Sequence, residues 1–89
     1  MGAALEISVQ ETPNPQAVKF TLNRTVAPHG VTYRDAAGAG EPWAAALLRI
    51  AGVTQVFALQ NFISVTKTSE ASWDAIVPHV ERVLQEAFA

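Results

Sequence analysis

Val53-Thr-Gln-Val-Phe-Ala-Leu-Gln-Asn-Phe-Ile-Ser-Val-Thr-Lys67 decides the fold. Two apolar, partly β-branched runs, Val53 to Leu59 and Phe62 to Lys67, flank Gln60-Asn61, and asparagine tolerates the positive φ that a tight hairpin turn requires. A two-residue turn fixes the register: Leu59 opposite Phe62, Ala58 opposite Ile63, Phe57 opposite Ser64, Val56 opposite Val65. Side chains alternate across a strand, so one face of the hairpin gathers Val56, Ala58, Ile63 and Val65 and is purely apolar. The other gathers Gln55, Phe57, Leu59, Phe62, Ser64 and Thr66, a mixture of aromatic and hydroxyl groups.

An apolar face must be covered, and helical patterns stand on both sides of the hairpin. Upstream, Glu41-Pro42 opens a helix, because proline at the first helical position gives up only an N–H with no intrahelical partner. Trp43, Leu47 and Ile50 line one stripe, and Gly52 is expected to end the helix in the left-handed conformation. Downstream, Trp73, Ile76, Val77, Val80, Val83, Leu84, Ala87 and Phe88 repeat at helical spacing after an expected N-cap at Ser72. Pro78, beyond the free first turn, is expected to bend or restart that helix.

Further out, Leu5, Ile7 and Val9 alternate with Glu6, Ser8 and Gln10 as a half-buried strand. Val18, Phe20 and Leu22 alternate with Ala17, Lys19 and Thr21 as a second. Between them Pro13 and Pro15 restrict Thr12 and Asn14 as well as themselves, which predicts a stiff extended arm holding Asn14 and Lys19 in set directions. From Asn23 to Gly40 the signal is weak: Pro28-His29-Gly30 reads as a turn, Val31 to Arg34 as at most a short edge strand, and Asp35 to Gly40 as a loop. The expected architecture is α+β, a two-layer sandwich of a predominantly antiparallel sheet with both helices on one face, in the order β-β-(β)-α-β-β-α, as one domain over residues 1–89.

Composition narrows the function. The 89 residues allow one domain, with a net stability of about 5–10 kcal/mol. Half of them are hydrophobic (49%) and 16% charged, which excludes a disordered tail. Six Lys and Arg against eight Asp and Glu give a net charge of -2, and the basic residues are scattered, so no phosphate-neutralising stripe for nucleic acid exists. The N-terminal Met-Gly-Ala-Ala-Leu-Glu lacks a basic n-region and a long apolar stretch, and Glu6 replaces the hydroxyl residue of a myristoylation signal, so a cytoplasmic address without membrane attachment is expected.

The chain has no cysteine, which removes disulfides, thiolate nucleophiles and thiolate ligands for zinc or an iron–sulfur cluster. His29 and His79 form no His-x-x-x-His or Glu-x-x-His pair. Ser8, Ser64, Ser69 and Ser72 lack the glycine-flanked elbow of a nucleophile, and the glycines form no phosphate-binding pattern. Glu70 and Asp74 are explained by the dipole of the last helix. The expectation is a non-catalytic chain with no catalytic residue, no metal ligand and no cofactor bound by this chain alone.

Thr12-Pro-Asn-Pro15 followed by Lys19-Phe20 resembles the opening of the N-terminal domain of Nfu/NifU-like iron–sulfur cluster scaffold proteins. The likeness continues through Pro42-Trp43, Leu47, Ile50 to Val53, Val56-Phe57, Phe62 to Lys67, Trp73 and Pro78, nearly the whole chain. In full-length members a second domain carries the Cys-x-x-Cys pair that holds the cluster. The resemblance therefore implies a scaffold or accessory role in cluster assembly, exercised by docking onto assembly or client proteins, including a Cys-x-x-Cys cluster carrier. Candidate partner-binding residues are Asn14, Lys19, Thr21, Phe57, Leu59 and Phe62. Four alternatives stay open at this point: weak iron binding or delivery by carboxylates and histidine, a homodimer closed through the outer sheet faces, a chain segment from Asn23 to Gly40 folded over those aromatics, and aromatics that are merely scattered surface hydrophobes.

Overall fold

A computed structural model describes residues 4–89; the reading of the N-terminal tip, Met1 to Ala3, lies outside the described residues. The element order is β1 (Ile7–Glu11), β2 (Ala17–Leu22), β3 (Ala27–Tyr33), α1 (Pro42–Leu48), β4 (Val53–Gln60), β5 (Phe62–Lys67) and α2 (Trp73–Phe88). The strands form one five-stranded sheet in the order β1-β2-β5-β4-β3, and all four neighbouring pairs run antiparallel. The hairpin that the sequence points to is thus the middle of the sheet.

Its register is the expected one: Leu59 pairs with Phe62, Ala58 with Ile63, Phe57 with Ser64 and Val56 with Val65. The turn itself differs in detail. Gln60, not Asn61, carries the positive φ, at 53°. Asn61 instead ties the turn to β2, its amide donating to the Leu22 carbonyl at 3.2 Å while its own carbonyl accepts from the Leu22 N–H at 2.8 Å.

On the inner face Val56, Ala58, Ile63 and Val65 are completely buried beneath the helices, together with Phe20 from β2. Trp43, Ala44 and Leu47 of α1 and Ile76, Val80 and Leu84 of α2 meet them in the core, with Leu5, Val18, Leu22, Ala27 and Val53 around its margin. An aromatic chain closes one side: Tyr33 meets Trp43 edge-on at 5.7 Å between centroids, and Trp43 meets Phe88 at 5.6 Å.

Helix α1 stops at Leu48, earlier than the apolar stripe suggests, so Ile50 lies in a turn and not in the helix. The Val53 N–H closes that turn on the Ile50 carbonyl at 3.0 Å, with Gly52 at φ 93° in its third position. A Cβ at Gly52 would stand 2.5 Å from the Ala71 Cβ, so both the backbone and the space demand glycine. Ser72 caps α2 as expected, its Oγ accepting from the Asp74 N–H at 3.2 Å. Pro78 does not restart the helix: α2 runs unbroken from Trp73 to Phe88, because the core contacts of Ile76, Val80 and Leu84 outweigh one missing backbone bond.

The region from Asn23 to Gly40 departs most from the sequence reading. Pro28-His29-Gly30 is no turn but the irregular middle of β3, where the register against β4 shifts between Ala27 and Val31. Proline is tolerated there because β3 is an edge strand and its ladder with β4 is already interrupted at that shift.

Candidate functional site

Both helices lie on one face of the sheet, and among the described residues no element covers the opposite face. Lys19 and Thr21 reach it from β2, Phe62, Ser64 and Thr66 from β5, and Gln55, Phe57 and Leu59 from β4. Each of these side chains is only partly covered, by its neighbours within the sheet. The segment from Asn23 to Gly40 does not fold over them. It continues the sheet as β3, with Thr32 paired to Phe57, and so widens the face.

Three aromatic and cationic groups meet at the centre. The Phe57 and Phe62 rings are 6.1 Å apart at an angle of 48°, and the Lys19 ammonium stands 4.4 Å from the centroid of Phe62. The contact is a consequence of register: Lys19 pairs with Ser64 and Thr21 with Phe62, so the lysine sits diagonally across from the ring it covers. The patch is framed by polar groups. The Thr21 hydroxyl donates to Gln10 Oε1 at 3.1 Å, and Arg34 Nε donates to Gln55 Oε1 at 3.0 Å.

Of the six candidates, Lys19, Thr21, Phe57, Leu59 and Phe62 therefore share one surface, and Asn14 does not join them. The Thr12 to Gln16 segment is a folded connection and not the extended arm expected from its prolines. The Ala17 N–H donates to the Asn14 carbonyl at 2.9 Å, the Gln16 N–H to Asn14 Oδ1 at 3.0 Å, and the Thr12 hydroxyl to the carbonyls of Asn14 and Ala17. Restricted φ values at the prolines and an asparagine able to bond its own backbone favour such a turn, a competition the arm reading overlooked. The loop is pinned to the start of α2 by Trp73 Nε1 donating to the Pro15 carbonyl at 3.1 Å, and to β5 by Lys67 Nζ donating to Gln16 Oε1 at 3.1 Å. Asn14 helps line a separate cleft of about 260 Å³ with Thr12, Pro13, Pro15 and Trp73.

Sequence reasoning missed Gln10 and Gly30. Gln10 was legible in principle, since pairing β1 to β2 places it opposite Lys19 on the outer face. Gly30 gave no such signal. The place where its Cβ would be lies 3.4 Å from the Phe57 ring and 3.8 Å from Leu59, so the absent side chain lets those two lie flat against β3.

Among the described residues no three His, Asp or Glu side chains gather into a metal-holding group, so the carboxylate and histidine reading gains no supporting geometry. Among them, too, no buried side-chain polar atom lacks a partner. Burial chiefly, and the Glu41 charge secondarily, push the Tyr33 phenol above the ordinary 10.0. Among the described residues no helix is long and apolar enough to cross a membrane.

Known proteins share this design. The crystal structure of protein SAV1430 from Staphylococcus aureus superposes with a TM-score of 0.79 at 33% identity, covering 89% of this chain and 98% of that one. A solution structure of a Staphylococcus epidermidis protein gives 0.63 at 27% identity, over 91% and 96% of the two chains. Among curated sequences, the NFU1 iron-sulfur cluster scaffold homolog, mitochondrial, of Drosophila persimilis is 37% identical over 86 residues, and that of Drosophila willistoni 38%. The match takes in 93% of this chain but 30% of each Drosophila protein, so the chain spans about a third of the curated relatives' length. A family model described as scaffold protein Nfu/NifU N terminal matches residues 7–89, and the chain belongs to that family.

Proposed function

We propose that this chain is a non-catalytic docking domain in iron–sulfur cluster assembly, which binds a cluster-carrying Cys-x-x-Cys protein or a client through its bare sheet face. Family membership supports the pathway. The absence of cysteine supports the division of labour: the cluster is cargo held by the partner's thiolates, and this chain supplies surface. The observation that carries the reading is the Lys19, Phe57, Phe62 patch on an uncovered sheet face. Aromatics at the centre with a hydroxyl and amide rim have the composition of a protein contact, and β-strand side chains need little ordering to bind. The cytoplasmic address expected from the sequence is retained in this proposal; the mitochondrial label belongs to the Drosophila relatives.

Calorimetric titration against a Cys-x-x-Cys cluster carrier from the same cell tests it. Phe57→Asp and Phe62→Asp should each weaken binding at least about tenfold, because a charge would be desolvated at the centre of the contact. Arg82→Glu, on the exposed side of α2, should leave it unchanged. Equal affinity for all three variants contradicts the proposal. A fall in solution mass on Phe57→Asp or Phe62→Asp would give the face to a second copy of the chain instead.

A further inference from the structure

The two edges of the sheet are built differently. Edge strand β3 contains Pro28 and a register shift, devices that prevent a further strand from pairing. Edge strand β1, Ile7-Ser-Val-Gln-Glu11, has neither proline nor bulge, and its register against β2 is unbroken. Val9 at its centre is the one large hydrophobic side chain counted as exposed among the described residues, at 42%.

The ladder fixes which backbone groups of β1 point outward. The Asn23 N–H donates to the Glu6 carbonyl at 3.2 Å, so Glu6 faces β2, and Ser8 and Gln10 follow by alternation. Leu22, opposite Ile7, is bonded on its other side to Asn61, which agrees with Ile7 facing away from β2. The N–H and C=O groups of Ile7, Val9 and Glu11 therefore point off the sheet. These three outward positions are symmetric about Val9.

We propose that β1 pairs with β1 of a second copy, antiparallel about a two-fold axis through Val9, joining two sheets edge to edge. The occupant is argued from self-complementarity. In this register Val9 meets Val9, and Ile7 meets Glu11 on both sides, so each outward residue faces another outward residue as a closely hydrogen-bonded pair. No like charges are opposed, since Glu6 falls opposite Thr12 and Glu11 opposite Ile7. Shifting by one residue brings outward groups against inward ones and Glu6 against Glu11, which the backbone and the charges both reject. The pairing is independent of the docking face, because it uses the sheet's edge and leaves Lys19, Phe57 and Phe62 uncovered. One short strand per copy makes a small interface, so a concentration-dependent equilibrium is expected and not a permanent dimer.

Val9→Pro is the decisive variant. Its lost N–H points outward, so β1 can remain bonded to β2 while the central pair of the two-fold is removed. Sedimentation of the wild-type chain over rising concentration should show monomer passing to dimer, and Val9→Pro, with unchanged circular dichroism, should remain monomeric. Amide exchange on the wild type covers the case in which that variant fails to fold. The N–H groups of Ile7, Val9 and Glu11 should exchange fast when dilute and gain protection together on concentration, while those of Ser8 and Gln10 stay protected throughout. A wild type monomeric at every concentration, a dimer that survives Val9→Pro, or protection of Ile7, Val9 and Glu11 that arises only when another protein is added would each overturn the proposal.

Discussion

The two faces of the β4–β5 hairpin alternate along one stretch of chain and meet opposite fates. Val56, Ala58, Ile63 and Val65 are sealed at 0% exposure beneath two helices, whereas Phe57, Leu59 and Phe62, one residue away in each case, are only half-covered. The sealed face could lose no volume without leaving a cavity. The bare face holds residues at least as large, yet their neighbours are a lysine, hydroxyls and amides, and nothing in the described chain packs over them. Alternation in β-strands thus lets a single hairpin carry the core on one side and a half-covered mixed face on the other, provided that no second helix layer is built.

The largest expected effect separates the faces directly. Ile63→Ala should cost about 3–4 kcal/mol in urea unfolding, through lost burial and a residual cavity, whereas Phe62→Ala on the same strand should cost about 1 kcal/mol, the scale of its ring and cation contacts. Comparable losses would break the contrast. Gly52→Ala should cost about 2–3 kcal/mol, since a side chain at φ 93° is strained and collides with Ala71 beside the helix layer. Ser72→Ala should cost about 1 kcal/mol by removing the cap of α2, with no change at the bare face. The smallest effect concerns Tyr33, the single tyrosine, on the sealed side. Its phenol should titrate above 10.0 in ultraviolet absorbance, and Glu41→Gln should lower the midpoint only slightly, because burial is the larger cause. Its neutral form is the one that the fold favours, so this contribution is fully present below pH 10.0 and is lost as pH rises through the folded midpoint.

What the sequence disclosed follows the same division. The hairpin register, both faces, the Pro42 start and the Ser72 cap were legible because each rests on strict periodicity or on one residue's local chemistry. Edge strand β3 was legible only in its second half, from Val31, because Pro28 and Gly30 are turn residues by local preference and became strand only by pairing with β4. The same cause hid the end of α1, where Ile50 keeps the helical spacing while a turn around Gly52 takes over the backbone. At the candidate site, alternation placed Lys19, Thr21, Phe57, Leu59 and Phe62 on one face correctly. Asn14 was expected on an extended arm and lies in a folded loop, because its side chain bonds to that loop's backbone, a local competition that spacing does not reveal.

The account stands on the bare sheet face being the surface that partners touch. Titrating the isotopically labelled chain with a cluster-carrying Cys-x-x-Cys protein and following backbone and methyl resonances tests this most directly. Signals of Lys19, Thr21, Phe57, Leu59 and Phe62 should move together and saturably while those of Ala46, His79 and Arg82 on the helix layer stay still. Movement confined to the helix layer, with the hairpin's outer face unchanged, would contradict it.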